Sequence, residues 1–143
     1  MKRMMARNAS LGSIVAEQVT VAATRAERRT GLLNHTSLPR GEALWIVPSR
    51  GVHTFGMKFA IDVIALDECG VVIDCVPHMK PWRIRLPRRG TAGVLELPAG
   101  SIAADGIQLG HRIVFQSIDL AAADLTPSAE TTDRSTRISR EVA

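Results

Sequence analysis

Five side chains of the sequence have the types and spacing to share a site. His53, Met57, Lys58 and Asp62 lie in one short stretch, and Glu96 follows in a later apolar run. Asp62 interrupts Ile61-Asp62-Val63-Ile64-Ala65-Leu66, which is otherwise apolar on both faces. A carboxylate buried there is costly unless paired, and Lys58, His53 or a strand-end N–H would be its partner. Two uses follow. Asp62 is a general base or ligand acceptor with Lys58 as its electrostatic partner, or it closes a structural ion pair or turn. Glu96 poses the same question between Leu95 and Leu97. If the leucines face the core, Glu96 is exposed. If Val94 faces inward, Glu96 is a second inward carboxylate, and two such groups bind a cation or do acid–base work.

A second cluster is basic. Lys80, Trp82, Arg83 and Arg85 precede Arg88 and Arg89, with no acid among them. Such a ribbon grips an anion or a nucleic-acid backbone, with Trp82 stacking on it. The competing use is to keep a sheet edge from pairing with another sheet. Other chemistries lack their signatures. His35, His53, His78 and His111 are scattered without ligand spacing, so no metal site is expected. There is no Gly-x-Ser-x-Gly, phosphate loop or dinucleotide fingerprint, so no cofactor is expected.

The elements that must hold these residues are mainly strands. Ile14–Ala22, Ala43–Val47, Ile61–Leu66, Val71–Val76, Trp82–Leu86, Ala92–Leu97 and His111–Phe115 read as strands, the Trp82–Leu86 one as an exposed edge. Asp67-Glu68-Cys69-Gly70 is a hairpin turn with Gly70 at positive φ. Thr24 and Glu27 have the spacing of a capping box, which predicts a short helix from Arg25 to Leu33. Arg25, Arg28 and Arg29 fall on it as a solvated face. Ser101 caps a single helical turn closed by Gly106. The expected fold is mainly β, a small antiparallel sandwich or barrel with one or two short helices.

With 143 residues, the chain suits one domain plus tails. Residues 1–12 read as a flexible arm, 13–119 as a single β-rich domain, and 120–143 as a disordered tail. Aromatics are only 3% against 45% apolar residues, so the core rests on aliphatic side chains. A net charge of +4 permits an anionic partner without demanding one, and specific nucleic-acid binding is not expected. The basic start lacks the apolar region of a signal peptide, and no run is long enough to span a bilayer. Cys69 and Cys75 are separated by extended chain of roughly 20 Å, against the ~5.5 Å of disulfide Cα atoms. Free thiols and a cytoplasmic location are expected.

Ordered pieces of this sequence resemble a prokaryotic family, domain of unknown function number 192, also uncharacterised protein family number 0127. They are Thr30-Gly31-Leu32-Leu33 ahead of Leu38-Pro39, then Leu44-Trp45-Ile46-Val47-Pro48. His53-Thr54-Phe55-Gly56-Met57-Lys58 with Ile61-Asp62 follows, then Leu95-Glu96-Leu97-Pro98-Ala99-Gly100 and Gly106-Ile107-Gln108-Leu109-Gly110. The resemblance covers about residues 14–118. It implies a β-rich domain and no established activity. Against the commoner pattern Phe-Trp-Met-Lys-Asn-Thr, Gly56 replaces the Trp, and Phe59 and Ala60 replace the Asn and Thr. Thr30 stands for an Arg, and His111 for a frequent acid.

Three functions stay open at this level. The first is a non-catalytic binding module holding a polar small molecule or peptide near His53, Met57, Lys58, Asp62 and Glu96. The second is a hydrolase using Asp62 or Glu96 with His53. The third is an accessory anion or nucleic-acid binder through the 80–89 segment.

Overall fold

The computed structural model describes residues 2–86 and 88–118. Among them the strands are β1 Arg3–Asn8, β2 Ser13–Ala22, β3 Glu42–Ile46, β4 Val52–His53, β5 Ile61–Leu66, β6 Val72–Met79, β7 Ile84–Arg85, β8 Gly93–Pro98 and β9 Ile113–Ser117. The helices are α1 Arg25–Thr30 and α2 Ser101–Asp105. The tail expected at 120–143 lies outside the described residues.

A seven-stranded sheet runs in the order β6-β5-β8-β3-β2-β1-β9, and β4 and β7 form a separate two-stranded ribbon. The large sheet curls into a half-barrel. Its two outer strands meet at one end, where Val71 and Arg112 form a bridge. There Val72 N–H donates to His111 O and Ile113 N–H donates to Gly70 O, each at 2.8 Å. The mainly β, barrel-like architecture read from the sequence is what the chain adopts. Within it one neighbouring pair, β2 with β3, is parallel. That pairing needs a crossover, and α1 with the segment after it supplies it.

The hairpin β5–β6 forms as its turn chemistry demands. Asp67 Oδ1 accepts from Cys69 N–H and Val71 N–H, both at 2.9 Å. Gly70 has φ +82°, and a Cβ there would collide with the Ile113 carbonyl. Only glycine satisfies both constraints. The capping box of α1 also forms: Thr24 Oγ1 accepts from Glu27 N–H and Glu27 Oε1 from Thr24 N–H.

Two differences from the expected elements have simple causes. Residues 3–8 are strand β1, not a flexible arm; they pair with β2 on one side and β9 on the other. Ala6 and Asn8 are fully buried there, a burial that the basic, short-range pattern of the segment does not show. Strand β6 runs through Pro77 to Met79. It tolerates the proline because it is an outer strand of the sheet.

Both faces of the central strands are covered. One face packs Val19, Ala43, Ile64, Leu66, Leu95 and Leu97 into the barrel interior. The other packs Leu44, Ile46, Ile61, Val63 and Val94 under Leu32, Met57 and Met79. Every residue of β5 and β8 is buried in consequence. Each large aliphatic side chain so enclosed contributes about 2 kcal/mol, so these two strands anchor the fold.

Candidate functional site

Register decides what Asp62 and Glu96 can do. On the β5–β8 ladder Asp62 is opposite Leu97, and Val63 is opposite Glu96. Cross-strand partners share a face, so the two carboxyls point to opposite sides of the sheet. The pair of inward acids that the sequence left open as one alternative does not form.

Asp62 is fully buried on the barrel side. Its Oδ1 accepts from His78 N–H at 2.9 Å and its Oδ2 from Ile102 N–H at 2.8 Å. It thus ties the end of β6 to the first turn of α2. His78 sits at φ +49°, a conformation unusual for a side chain with a Cβ, and the hydrogen bond from its N–H fixes it. The required company of this acid is backbone, neither Lys58 nor His53, and its role is structural. Lys58 is exposed.

Glu96 faces the other way, alongside Leu44 and Val63. Leu95 and Leu97 do face the core, yet Glu96 is only 3% exposed. The dilemma posed by alternation assumed a bare outer face, but Leu32 and Leu33 after α1, with Val52 and Met57, cover it. Glu96 Oε2 is buried with no hydrogen-bond partner. Burial alone pushes its carboxyl up from an ordinary 4.5 to about 7, because the charged form loses water without gaining a counter-charge.

A cavity of about 220 Å³ opens onto Glu96. Arg28, Arg29 and Thr30 from the end of α1 line one side, followed by Leu32 and Leu33. Ile46, Pro48, Ser49, Val52, His53 and Met57 line the rest. Of the residues expected at a common site, the structure brings together His53, Met57 and Glu96 and leaves out Lys58 and Asp62. The imidazole of exposed His53 also stacks on Phe55, centroids 5.1 Å apart. Arg28 and Arg29, read as a solvated face, are part of the wall. Nothing local in the sequence marks them; the β2–β3 crossover carries them to the cavity rim while Leu32 and Leu33 just after α1 pack onto the sheet.

Thr54, next to His53, is a second residue the sequence did not single out. It is fully buried, donates through Oγ1 to Lys80 O at 2.6 Å and accepts from Arg83 N–H at 2.9 Å. Trp82 N–H donates to Thr54 O at 3.0 Å, which holds Trp82 at φ +62°. Thr54 therefore pegs the 80–83 loop to β4, and with it the cavity wall that carries His53.

The basic ribbon is partly neutralised. Arg85 donates from Nε and Nη2 to Asp74 Oδ2 at 2.9 and 2.7 Å, and Arg88 reaches Asp74 Oδ1 at 3.3 Å. Lys80 and Arg83 stay exposed beside Trp82, whose ring lies 6.2 Å from Phe55. A wider, open groove of about 690 Å³ lies between Asp67–Cys69 and Arg88–Ala92. It has exposed charged walls and no buried group turned into it that lacks a partner other than Thr91 Oγ1. Among the described residues no three His, Cys, Asp or Glu side chains are grouped as a metal site. No helix among them is long and apolar enough to cross a membrane.

His111 closes the turn before β9 through an acceptor nitrogen. Its Nδ1 accepts from Gln108 N–H at 3.2 Å and is 3.0 Å from the Asn8 amide nitrogen.

Comparison with known proteins agrees with this fold. The family model of domain of unknown function number 192, described as "Uncharacterized ACR", matches residues 6–115. A protein of uncharacterised protein family number 0127 from Pyrococcus furiosus is 31% identical over 111 residues, covering 74% of this chain and 93% of the relative. One from Thermococcus sibiricus is 30% identical over 114 residues, covering 76% and 73%. Two crystal structures are similar in fold. A candidate transcription regulator from Sinorhizobium meliloti has a TM-score of 0.68 at 20% identity, covering 80% of this chain and 92% of that one. A protein of unknown function from Novosphingobium aromaticivorans has a TM-score of 0.67 at 23% identity, covering 78% and 83%.

Proposed function

The chain belongs to the family of domain of unknown function number 192, and within it we propose that this protein is a small non-catalytic binding module whose ligand sits on Glu96. One observation carries the reading: Glu96, 3% exposed and with a carboxyl oxygen lacking any partner, lines a cavity. Leaving a buried polar atom unsatisfied costs about 1–3 kcal/mol, and a bound donor removes that cost. Leu32, Ile46, Val52 and Met57 supply the apolar lining, and Glu96, His53, Arg28 and Arg29 the few polar groups, that small-molecule sites combine. The occupant is a polar small molecule or the end of a peptide; the cavity volume admits little more. The hydrolase alternative that draws on Asp62 lacks geometric support, since that carboxyl lies across the sheet with both oxygens occupied.

We place the protein in the cytoplasm. The unpaired thiols of Cys69 and Cys75 support this, because oxidising compartments favour disulfides.

The test is a thermal-shift screen of metabolites and short peptides on the wild type, Glu96→Gln and His53→Ala. Stabilising compounds whose effect disappears in Glu96→Gln and weakens in His53→Ala support the reading. Hits that stabilise all three proteins equally, or no hits at all, overturn it.

A further inference from the structure

The distribution of charge along the cavity narrows the ligand class. The buried part of the lining holds Glu96, a lone acid with no ion-pair partner among the described residues. The solvent-accessible part holds two cations from the last turn of α1. Arg28 turns its Nη1 back to Ala23 O, while Arg29 is exposed and has no ion pair among the described residues. The lining is also apolar, with Leu32, Ile46 and Met57 shielding the interior from water.

From this juxtaposition we infer that the cavity takes a small zwitterion, with its ammonium group against Glu96 and its anionic end at Arg29. The inference rests on the binding role proposed above. A simple anion entering the cavity meets the Glu96 carboxyl. A simple amine leaves Arg29 unpaired. A molecule carrying both charges satisfies both groups, and the sheltered interior strengthens the inner pair relative to water. A volume of about 220 Å³ holds an amino acid of a few carbons. The inner ion pair requires ionised Glu96, so binding near neutral pH releases a proton. The charged and titratable groups facing the cavity are Glu96 from β8, His53 from β4, and Arg28 and Arg29 from α1. Of these His53 also gains charge as pH falls, so its variant serves as a control.

Calorimetric titration of the full chain tests this, using amino acids of two to six carbons with the amine placed from the α to the terminal carbon. Butylamine, butyrate and butyramide serve as single-group probes. A panel member should bind more tightly than all three single-group probes, and about tenfold more tightly at pH 8 than at pH 6, given a carboxyl titrating at about 7. Proton release should appear as a heat that varies with the buffer. Arg29→Ala should bring the zwitterion down to the level of the amine. Glu96→Gln should abolish the pH dependence, and His53→Asn should retain it. Butyramide or butyrate binding as well as the best zwitterion overturns the ligand class and leaves the binding module standing. So does Glu96-dependent binding confined to the peptides or uncharged metabolites of the screen. Failure of both experiments removes the module as well.

Discussion

Replacing Glu96 by glutamine is the sharpest test of the physical reasoning, because it needs no ligand. In the folded protein burial holds the Glu96 carboxyl at about 7, against 4.5 when unhindered. Between these values the folded state binds a proton that the unfolded state has released. Stability therefore falls as pH rises from 4.5 to about 7, and is lowered by a constant amount above that. At about 1.4 kcal/mol per pH unit, the window is worth about 3 kcal/mol. Glutamine has nearly the same shape and no charge to hide, so its variant lacks this slope. For a domain of this size about 3 kcal/mol corresponds to about 10 °C in melting temperature. Thermal unfolding of both proteins from pH 4.5 to pH 8 gives the answer as a difference, in which the other titrating groups largely cancel. The glutamine variant should melt close to wild type at the acid end and about 10 °C above it at pH 8. Parallel curves would show that the carboxyl is hydrated or paired in solution, and the argument for an unsatisfied acid would collapse.

Three further outcomes are expected. Asp62→Asn leaves one of the His78 and Ile102 amides facing an NH₂ group, and should lower stability by about 2–4 kcal/mol in denaturant titrations. Gly70→Ala drives a Cβ into the Ile113 carbonyl at φ +82° and should cost at least about 1–3 kcal/mol. The loss should be visible as early hydrogen exchange of β9 amides. Burial, then Asp74 and Asp62, push the Cys75 thiol up, whereas Cys69 is exposed. Iodoacetamide at pH 8 should therefore alkylate Cys69 first, with peptide mass spectrometry reading the order.

The sequence made some features legible and hid others for definite reasons. The β5–β6 hairpin and the α1 capping box are local, and Asp67, Gly70, Thr24 and Glu27 signal them within a few residues. The need for Asp62 to have partners also followed from its neighbours. The identity of those partners did not, because His78 and Ile102 reach it across the sheet from distant segments. Glu96 was readable as facing away from Leu95 and Leu97, but its burial depends on a cover laid down by the β2–β3 crossover. Likewise Arg28 and Arg29 carry a pattern typical of a solvated helix face and become cavity wall only through that crossover. Strand β1 was missed because Lys2, Arg3, Arg7 and Asn8 give its segment a polar, basic pattern, and the strand that covers its far flank, β9, is remote in sequence.

That pairing sets a schedule for the chain as it is made. Asn8 and His111, bonded in the finished protein, lie 103 positions apart, and the main lateral partner of β9 is β1. During synthesis β1 must wait, one flank unsatisfied, until β9 has left the ribosome. Loop closure over so long a separation is slow, and an unfilled flank is an invitation to foreign strands. Hence the nascent protein is at its most vulnerable just before β9 emerges, and a chaperone's protection should matter most then.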